Sequence, residues 1–165
     1  MLLRFFMSLA FFLIPMGMFF QTAHAEGRFP EPVCVSSAKA RLRAAPSTNS
    51  KVTWNVGRYM PLERLSEQNG WSRVRDLRGQ THWVISSNIT TNATCAVVKV
   101  RVATLVKGSG GSGGPADFQV ADRYTPYKRI EREGDWVRLE DDFNGTYWTK
   151  VSNLWMPMKR TRLAF

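Results

Sequence analysis

Side-chain catalysis needs a nucleophile, a base or a set of metal ligands, and this sequence is poor in all three. It has two histidines, His24 and His82, and two cysteines, Cys34 and Cys95. A lone imidazole at His82, beside Trp83, fits a half-exposed strand residue better than a catalyst. Three acids are consecutive, Glu140, Asp141 and Asp142, but they fall at an expected hairpin turn, where they splay into water. General acid–base work needs two carboxylates facing each other across a cleft. A zinc site wants about three or four ligands at close spacing, and calcium roughly six to eight oxygens, of which only these acids and Asn144 are at hand. The sequence therefore predicts no catalytic residue, no metal and no cofactor.

Binding is better supplied, by aromatic and cationic residues. Trp71 and Trp83 stand twelve residues apart around a polar, Gly-containing turn, and Trp136 and Trp148 repeat that spacing. Sliding the chain by 65 positions sets residues 58–89 on 123–154 without a gap, with 11 of 32 pairs identical. About two identities would be expected from ordinary composition. Two copies indicate a duplication rather than a solenoid.

The elements that must position these residues are short strands separated by turns. In the first copy "AKARLR", "KVTWNV", "MPLERLS", "WSRVRD" and "QTHWVI" read as strands, and "SSNI" as a single helical turn. Alternation puts Trp71, Arg73 and Arg75 on one face and Ser72, Val74 and Asp76 on the other. A tight turn at "DLRG" then brings the two indoles onto neighbouring strands. A barrel of this size needs large side chains to fill it, so Trp71, Trp83, Trp136 and Trp148 are expected in the core. In the second copy "KGSGGSGGP" replaces the opening turn. It is six residues longer than its counterpart when Val100-Arg101-Val102 is set against Arg41-Leu42-Arg43. It is either a loop of that copy or an interdomain linker; the loop is favoured, because the second barrel otherwise lacks its first strand.

The first 25 residues carry one basic residue, Arg4, an apolar run from Phe5 to Phe20 and a small-x-small end at Ala23 and Ala25. They read as a secretory signal peptide. The remaining chain has 22 basic and 13 acidic residues, a net of +9, with the excess in its first half and in the tail from 157 to 165. Such a balance suits acidic partners. Export argues against nucleic acid, and the tail could touch a membrane only peripherally. Cys34 and Cys95, in an oxidising compartment, are expected to form a disulfide that staples the first copy.

"ARLRAAPSTNSKV", "EQNGWSRVRD" and "THWVISSNI" together resemble the bacterial SH3-like domain, over about residues 36–90. With the second copy the chain looks most like tandem exported versions from proteobacteria. The resemblance implies an all-β chain of two small SH3-like barrels, usually non-catalytic, with domains at 33–96 and 97–156 and a Gly/Ser loop at 108–114. It also implies a groove between the first long loop and a neighbouring hairpin, for which Arg41, Arg43, Trp54, Tyr59, Arg73, Arg75, His82 and Trp83 are candidates. Aromatic faces stack on sugars or peptides, and guanidinium groups pair with carboxylates. The expected protein is an exported, non-enzymatic binding or targeting module of the periplasm or cell envelope, recognising peptidoglycan or a peptide. The alternatives are a structural or protein-partner module without glycan contact, and a charge-driven polyanion binder.

Overall fold

The computed structural model describes residues 30–158, apart from the side chain of Phe118. The expected signal peptide, and the tail beyond Met158, lie outside the described residues. Among the described residues fourteen strands run in chain order, the first seven being β1 (Glu31–Val35), β2 (Lys39–Arg43), β3 (Val52–Gly57), β4 (Pro61–Gln68), β5 (Trp71–Arg75), β6 (Thr81–Ile85) and β7 (Ile89–Thr90). Then follow β8 (Cys95–Val98), β9 (Val102–Val106), β10 (Pro115–Asp122), β11 (Pro126–Glu133), β12 (Trp136–Glu140), β13 (Thr146–Lys150) and β14 (Leu154–Trp155). They form two curled seven-stranded sheets, ordered β3-β2-β6-β5-β4-β1-β7 and β10-β9-β13-β12-β11-β8-β14. The second order is the first with seven added to every strand number. A 3-10 turn precedes the last short strand of each sheet, at Ser86–Asn88 and Val151–Asn153.

Local chemistry explains the hairpins. β4 turns into β5 through Asn69 and Gly70, both at positive φ (49° and 77°), the Asn-Gly signature of a two-residue turn whose twist matches the strands. β5 turns into β6 around Asp76, whose side chain is 1% exposed. Its Oδ1 accepts the backbone N–H groups of Arg78 and Gln80 at 2.8 and 2.9 Å, and its Oδ2 accepts Arg78 Nε at 2.9 Å. Asp141 does the same in the second sheet, accepting Phe143 and Gly145 N–H at 2.8 Å each and the Tyr147 hydroxyl at 3.0 Å. So the repeated aspartate is a turn anchor. The consecutive acids are not splayed into water, because Glu140 takes the Lys128 ammonium at 2.9 Å and Asp142 lies 3.3 Å from Arg58.

Each sheet wraps its own core of small aliphatic side chains. Ala40, Leu42, Val56, Leu62, Val74 and Val84 fill the first; Ala103, Leu105, Ala121, Val137 and Leu139 fill the second, with Tyr127 and Tyr147 in edge contact at 6.3 Å. Burial pushes the Tyr127 hydroxyl up to about 12, with Tyr147 and Asp141 adding to it. The indoles are not the filling that the sequence suggests. Trp71, Trp83 and Trp136 are half-buried on the faces of β5, β6 and β12 that point away from the cores. Trp148 is buried, but it too alternates away from the core residue Tyr147. The reason is parity: Trp71 shares its face with Arg73 and Arg75, and a small apolar core does not take in guanidinium groups.

Two further expectations change. The pairing of Arg43 with Trp83 and of Val106 with Trp148 sets Lys39–Arg43 against Val102–Val106, a shift of 63 and not the 59 of the sequence alignment. The turns that follow, 44–51 and 107–114, are then equally long. The Gly/Ser run joins the paired strands β9 and β10, and the two extra residues sit in a β10 bulge between Pro115 and Val120. The Cys34–Cys95 disulfide forms, but it joins β1 of one sheet to β8 of the other instead of closing the first copy on itself. β8 spans the expected 96/97 boundary, and Val97 packs into the first core while Ala96 and Val98 enter the second.

Two predictions follow from these contacts. With Cys34 and Cys95 both replaced by Ser, urea unfolding should show a loss of about 2–4 kcal/mol, the usual worth of a bridge closing a long loop; an unchanged midpoint would deny the seam any part in stability. Burial alone would raise the Asp76 pKa, but the Arg78 side chain and the Gln80 and Arg78 N–H groups outweigh it and hold the carboxyl below its ordinary 3.8. Its contribution is thus full above about pH 4 and is lost as pH falls through the lowered folded value. Asp76→Asn should cost about 1–3 kcal/mol at neutral pH, and the gap from the parent should narrow on acidification below pH 4; a gap independent of pH would refute the charged anchor.

Candidate functional site

Three strands of the first sheet build one cationic and aromatic surface. In β2, Ala40 and Leu42 turn into the core, so Lys39, Arg41 and Arg43 all point outward. Arg43 pairs with Trp83 on β6, and Trp83 pairs with Arg73 on β5. The result is a cross-strand row, guanidinium, indole, guanidinium, with Arg41 and Lys39 continuing along β2. Trp71 lies on the same face, diagonal to Trp83, through its pairing with Ile85. Arg43 is steadied by an Nη1 bond to the Ser50 carbonyl at 2.6 Å, which ties the row to the 44–51 loop. Among the described residues, Lys39, Arg41, Arg43 and Arg73 have no acidic partner within ion-pair distance. Lys39, Arg41 and Arg73 are exposed, and Trp83 is half-buried.

Arg75 lies on the same face, but its charge is taken: Nη2 sits 2.7 Å and Nε 2.8 Å from Glu63 Oε2. His82 is on the opposite face. It is 4% exposed, not half-exposed as the sequence suggests, because it alternates with Trp83 and so points inward beside Val84. Its Nε2 lies 3.4 Å from Asp76 Oδ2 and its Nδ1 2.8 Å from Thr53 Oγ1. A carboxylate only accepts, so Nε2 carries the proton and Nδ1 accepts from the threonine hydroxyl in the neutral ring. Hydroxyl, imidazole and carboxylate in line have the composition of an acyl-transfer triad. The carboxylate is already committed to the turn, however, and two cavities, of about 240 and 200 Å³, are lined by β1 and Thr91 and not by these three residues. In the second copy Tyr147 takes the place of His82 and donates to the equivalent oxygen, Oδ2 of Asp141. The imidazole links the β5–β6 hairpin, through Asp76, to Thr53 of β3.

Trp54 and Tyr59 belong to a different place, the seam between the sheets. Trp54 meets Tyr124 edge-on at 5.7 Å, and the Arg78 guanidinium lies 4.7 Å from the Trp54 ring centre and 5.9 Å from that of Tyr124. Arg123 also lies over the Tyr124 ring, 5.0 Å from its centre. Tyr59 and Tyr124 are equivalent in the repeat, and both hold positive φ, 64° and 74°. Their N–H groups donate to Val35 and Val98 at 2.8 and 2.9 Å, which fixes a conformation that bulky residues otherwise avoid. On the other side of the seam Arg58 meets Asp142. Lys128 there is held above its ordinary pKa by its bond to Glu140, with Tyr59 close enough to add a little. Each sheet thus offers its Arg-Tyr turn to the aspartate hairpin of the other.

Of the eight residues expected at one groove, the structure gathers Arg41, Arg43, Arg73, Arg75 and Trp83 on one face, sends Trp54 and Tyr59 to the seam and buries His82. The sequence reading missed Lys39, Arg78 and Tyr124. Lys39 was visible as the first member of the alternation "KARLR". Arg78 and Tyr124 were not, since nothing local tells that two turns 46 residues apart will touch. Among the described residues no three of His, Cys, Asp and Glu come together as a metal would require.

No curated protein matches the chain. Among solved structures it is similar to an NlpC/P60 family protein from Bacillus cereus ATCC 10987, at 11% identity and TM-score 0.37, over 77% of this chain and 56% of that one. It is similar to NlpC2 from Trichomonas vaginalis at 9% identity and TM-score 0.34, over 82% and 52%, and to the endolysin LysPBC5 CBD at 15% and 0.30, over 76% and 92%. The chain spans about half the length of the two NlpC-type structures. A family model places the fold of the first sheet: residues 36–90, from the approach to β2 through β7, match the bacterial SH3 domain.

Proposed function

We propose that the chain is a non-catalytic binding or targeting module of the cell envelope, exported to act there, and that its ligand is peptidoglycan or a peptide. The observation that carries this reading is the row Arg43–Trp83–Arg73, in which a half-buried indole is flanked by two cations without acidic partners. Such a row costs self-repulsion and gains nothing for the core, while it offers an apolar plate between two charge-assisted hydrogen-bond forks. The match of residues 36–90 to the bacterial SH3 domain supports a wall-binding role over a catalytic one.

The same surface supplies the mechanism. The aromatic face takes the hydrophobic side of a sugar ring or peptide unit, and the guanidinium groups fix its acidic groups. The core beneath, Ala40, Leu42, Val74 and Val84, holds the three strands rigid, so little ordering is needed on binding. The second sheet braces the first through the disulfide, Val97 and the Trp54–Tyr124 contact.

The test is retention on purified sacculi in rising salt. The parent chain should stay bound at about 1 M salt, where charges more than about 3 Å apart are screened, because the indole contact is not electrostatic. Trp83→Ala and Arg43→Ala should each weaken retention about tenfold or more, as an anchor at the centre of a contact does. Trp54→Ala should leave retention unchanged and lower the melting temperature. Retention lost at moderate salt would instead indicate attraction by charge alone, and no retention at all would favour a protein partner.

A further inference from the structure

The chain contains its own control for the cationic face. In β9 the residues equivalent to Lys39-Ala40-Arg41-Leu42-Arg43 are Val102-Ala103-Thr104-Leu105-Val106. The inward pair is the same in both, Ala and Leu, each at most 2% exposed. The outward set is Lys, Arg and Arg in one sheet and Val, Thr and Val in the other. The fold therefore does not require cations there, since the equivalent strand pairs and buries its core without them.

The rest of the row is neutralised in the second sheet as well. Trp148 is 8% exposed where Trp83 is half-buried, and the 3-10 turn Ser109–Gly111 packs against β12 and β13. Arg138, the counterpart of Arg73, has Glu131 at 3.9 Å. One sheet keeps the row open and charged; in the other the indole of the row is covered and its arginine is paired, and the charge that remains on that face is Lys150, over Trp136 at 5.9 Å.

We infer that the outer face of β2, Lys39, Arg41 and Arg43 with Trp83 and Arg73 beside it, reads a row of carboxylates on an extended acidic peptide, and that the described residues hold one such site, the second sheet being its support. This rests on the binding reading above. Alternate side chains of a strand repeat about every 7 Å, and an extended peptide laid along β2 presents its own alternate groups at the same interval. Charge complementarity selects the partner: three unpaired cations in line, with no acid on that face of β2, favour a ligand with several acidic groups over a neutral glycan chain.

The experiment compares the full chain with the variant Lys39→Val/Arg41→Thr/Arg43→Val, which grafts the second sheet's own residues onto β2. A milder variant, with Gln at the same three positions, covers the case in which the graft fails to fold, judged by circular dichroism and melting temperature. Both are pulled down on untreated sacculi, on sacculi with carboxyl groups amidated by carbodiimide, and on sacculi stripped of phosphate polymers by hydrofluoric acid. The inference expects retention of the parent chain to fall about tenfold on amidated sacculi and to be unchanged after stripping. The folded variant should bind untreated sacculi as weakly as the parent binds amidated ones. Full retention on amidated sacculi, or a variant that binds like the parent, overturns the inference and leaves the wall-binding reading standing. Loss on stripping alone assigns the row to phosphates and overturns it too. A parent chain that untreated sacculi do not hold refutes the wall-binding reading and the inference together.

Discussion

A β-strand has two faces and no third, and in β2, β5 and β6 those faces are chemically opposite. Ala40, Leu42, Ser72, Val74, His82 and Val84 go one way; Lys39, Arg41, Arg43, Arg73, Trp71 and Trp83 go the other. A slip of one residue in β2 or β5 would drive guanidinium groups into a core that cannot solvate them, so the register of those strands is held by charge as well as by apolar burial. The same alternation that excludes water from the inside assembles the cationic row on the outside. Core and site are therefore specified by one pattern.

That pattern was legible in the sequence, and so were the strands it generates: all five segments expected in the first copy are strands, and "SSN" is the 3-10 turn. The error lay in choosing which face was the core. Four duplicated indoles looked like filling, because large aromatic side chains usually are. The flanking residues decide the matter differently. Trp71 alternates with Arg73 and Arg75, whereas Ser72 alternates with Val74, and a small barrel closes over Ala, Leu and Val without needing an indole. His82 falls inside by the same rule, and its inward position then calls for the polar partners it has in Thr53 and Asp76. Asp76 and Asp141, retained in both copies, are retained for hairpin geometry.

What the sequence could not show is how the two sheets meet. Cys95 opens a strand whose four residues are all buried, because β8 lies between two cores and feeds both. A strand buried on both faces has no alternation, so neither its registration nor its membership of the second sheet can be read from periodicity. The seam's other contacts, Arg58 with Asp142 and Arg78 with Tyr124, join turns that are local to different sheets. Tyr59 and Tyr124 show what such contacts demand of the backbone: both accept a left-handed conformation that turns the ring toward the neighbouring sheet.

Duplication followed by divergence separates what a fold needs from what a surface is for. Residues kept in both copies at equivalent positions, such as the aspartate anchors, the Arg-Tyr turns and the Ala-Leu pair of β2 and β9, serve construction, since both sheets are built with them. The outward residues of β2 differ from those of β9 in charge, size and polarity, while the strands keep the same neighbours on both sides. Free energy of folding cannot account for the cations, because the second sheet forms without them and their mutual repulsion opposes the first. A surface feature that the fold does not need, and that lacks acidic partners among the described residues, is what the proposed acidic ligand accounts for.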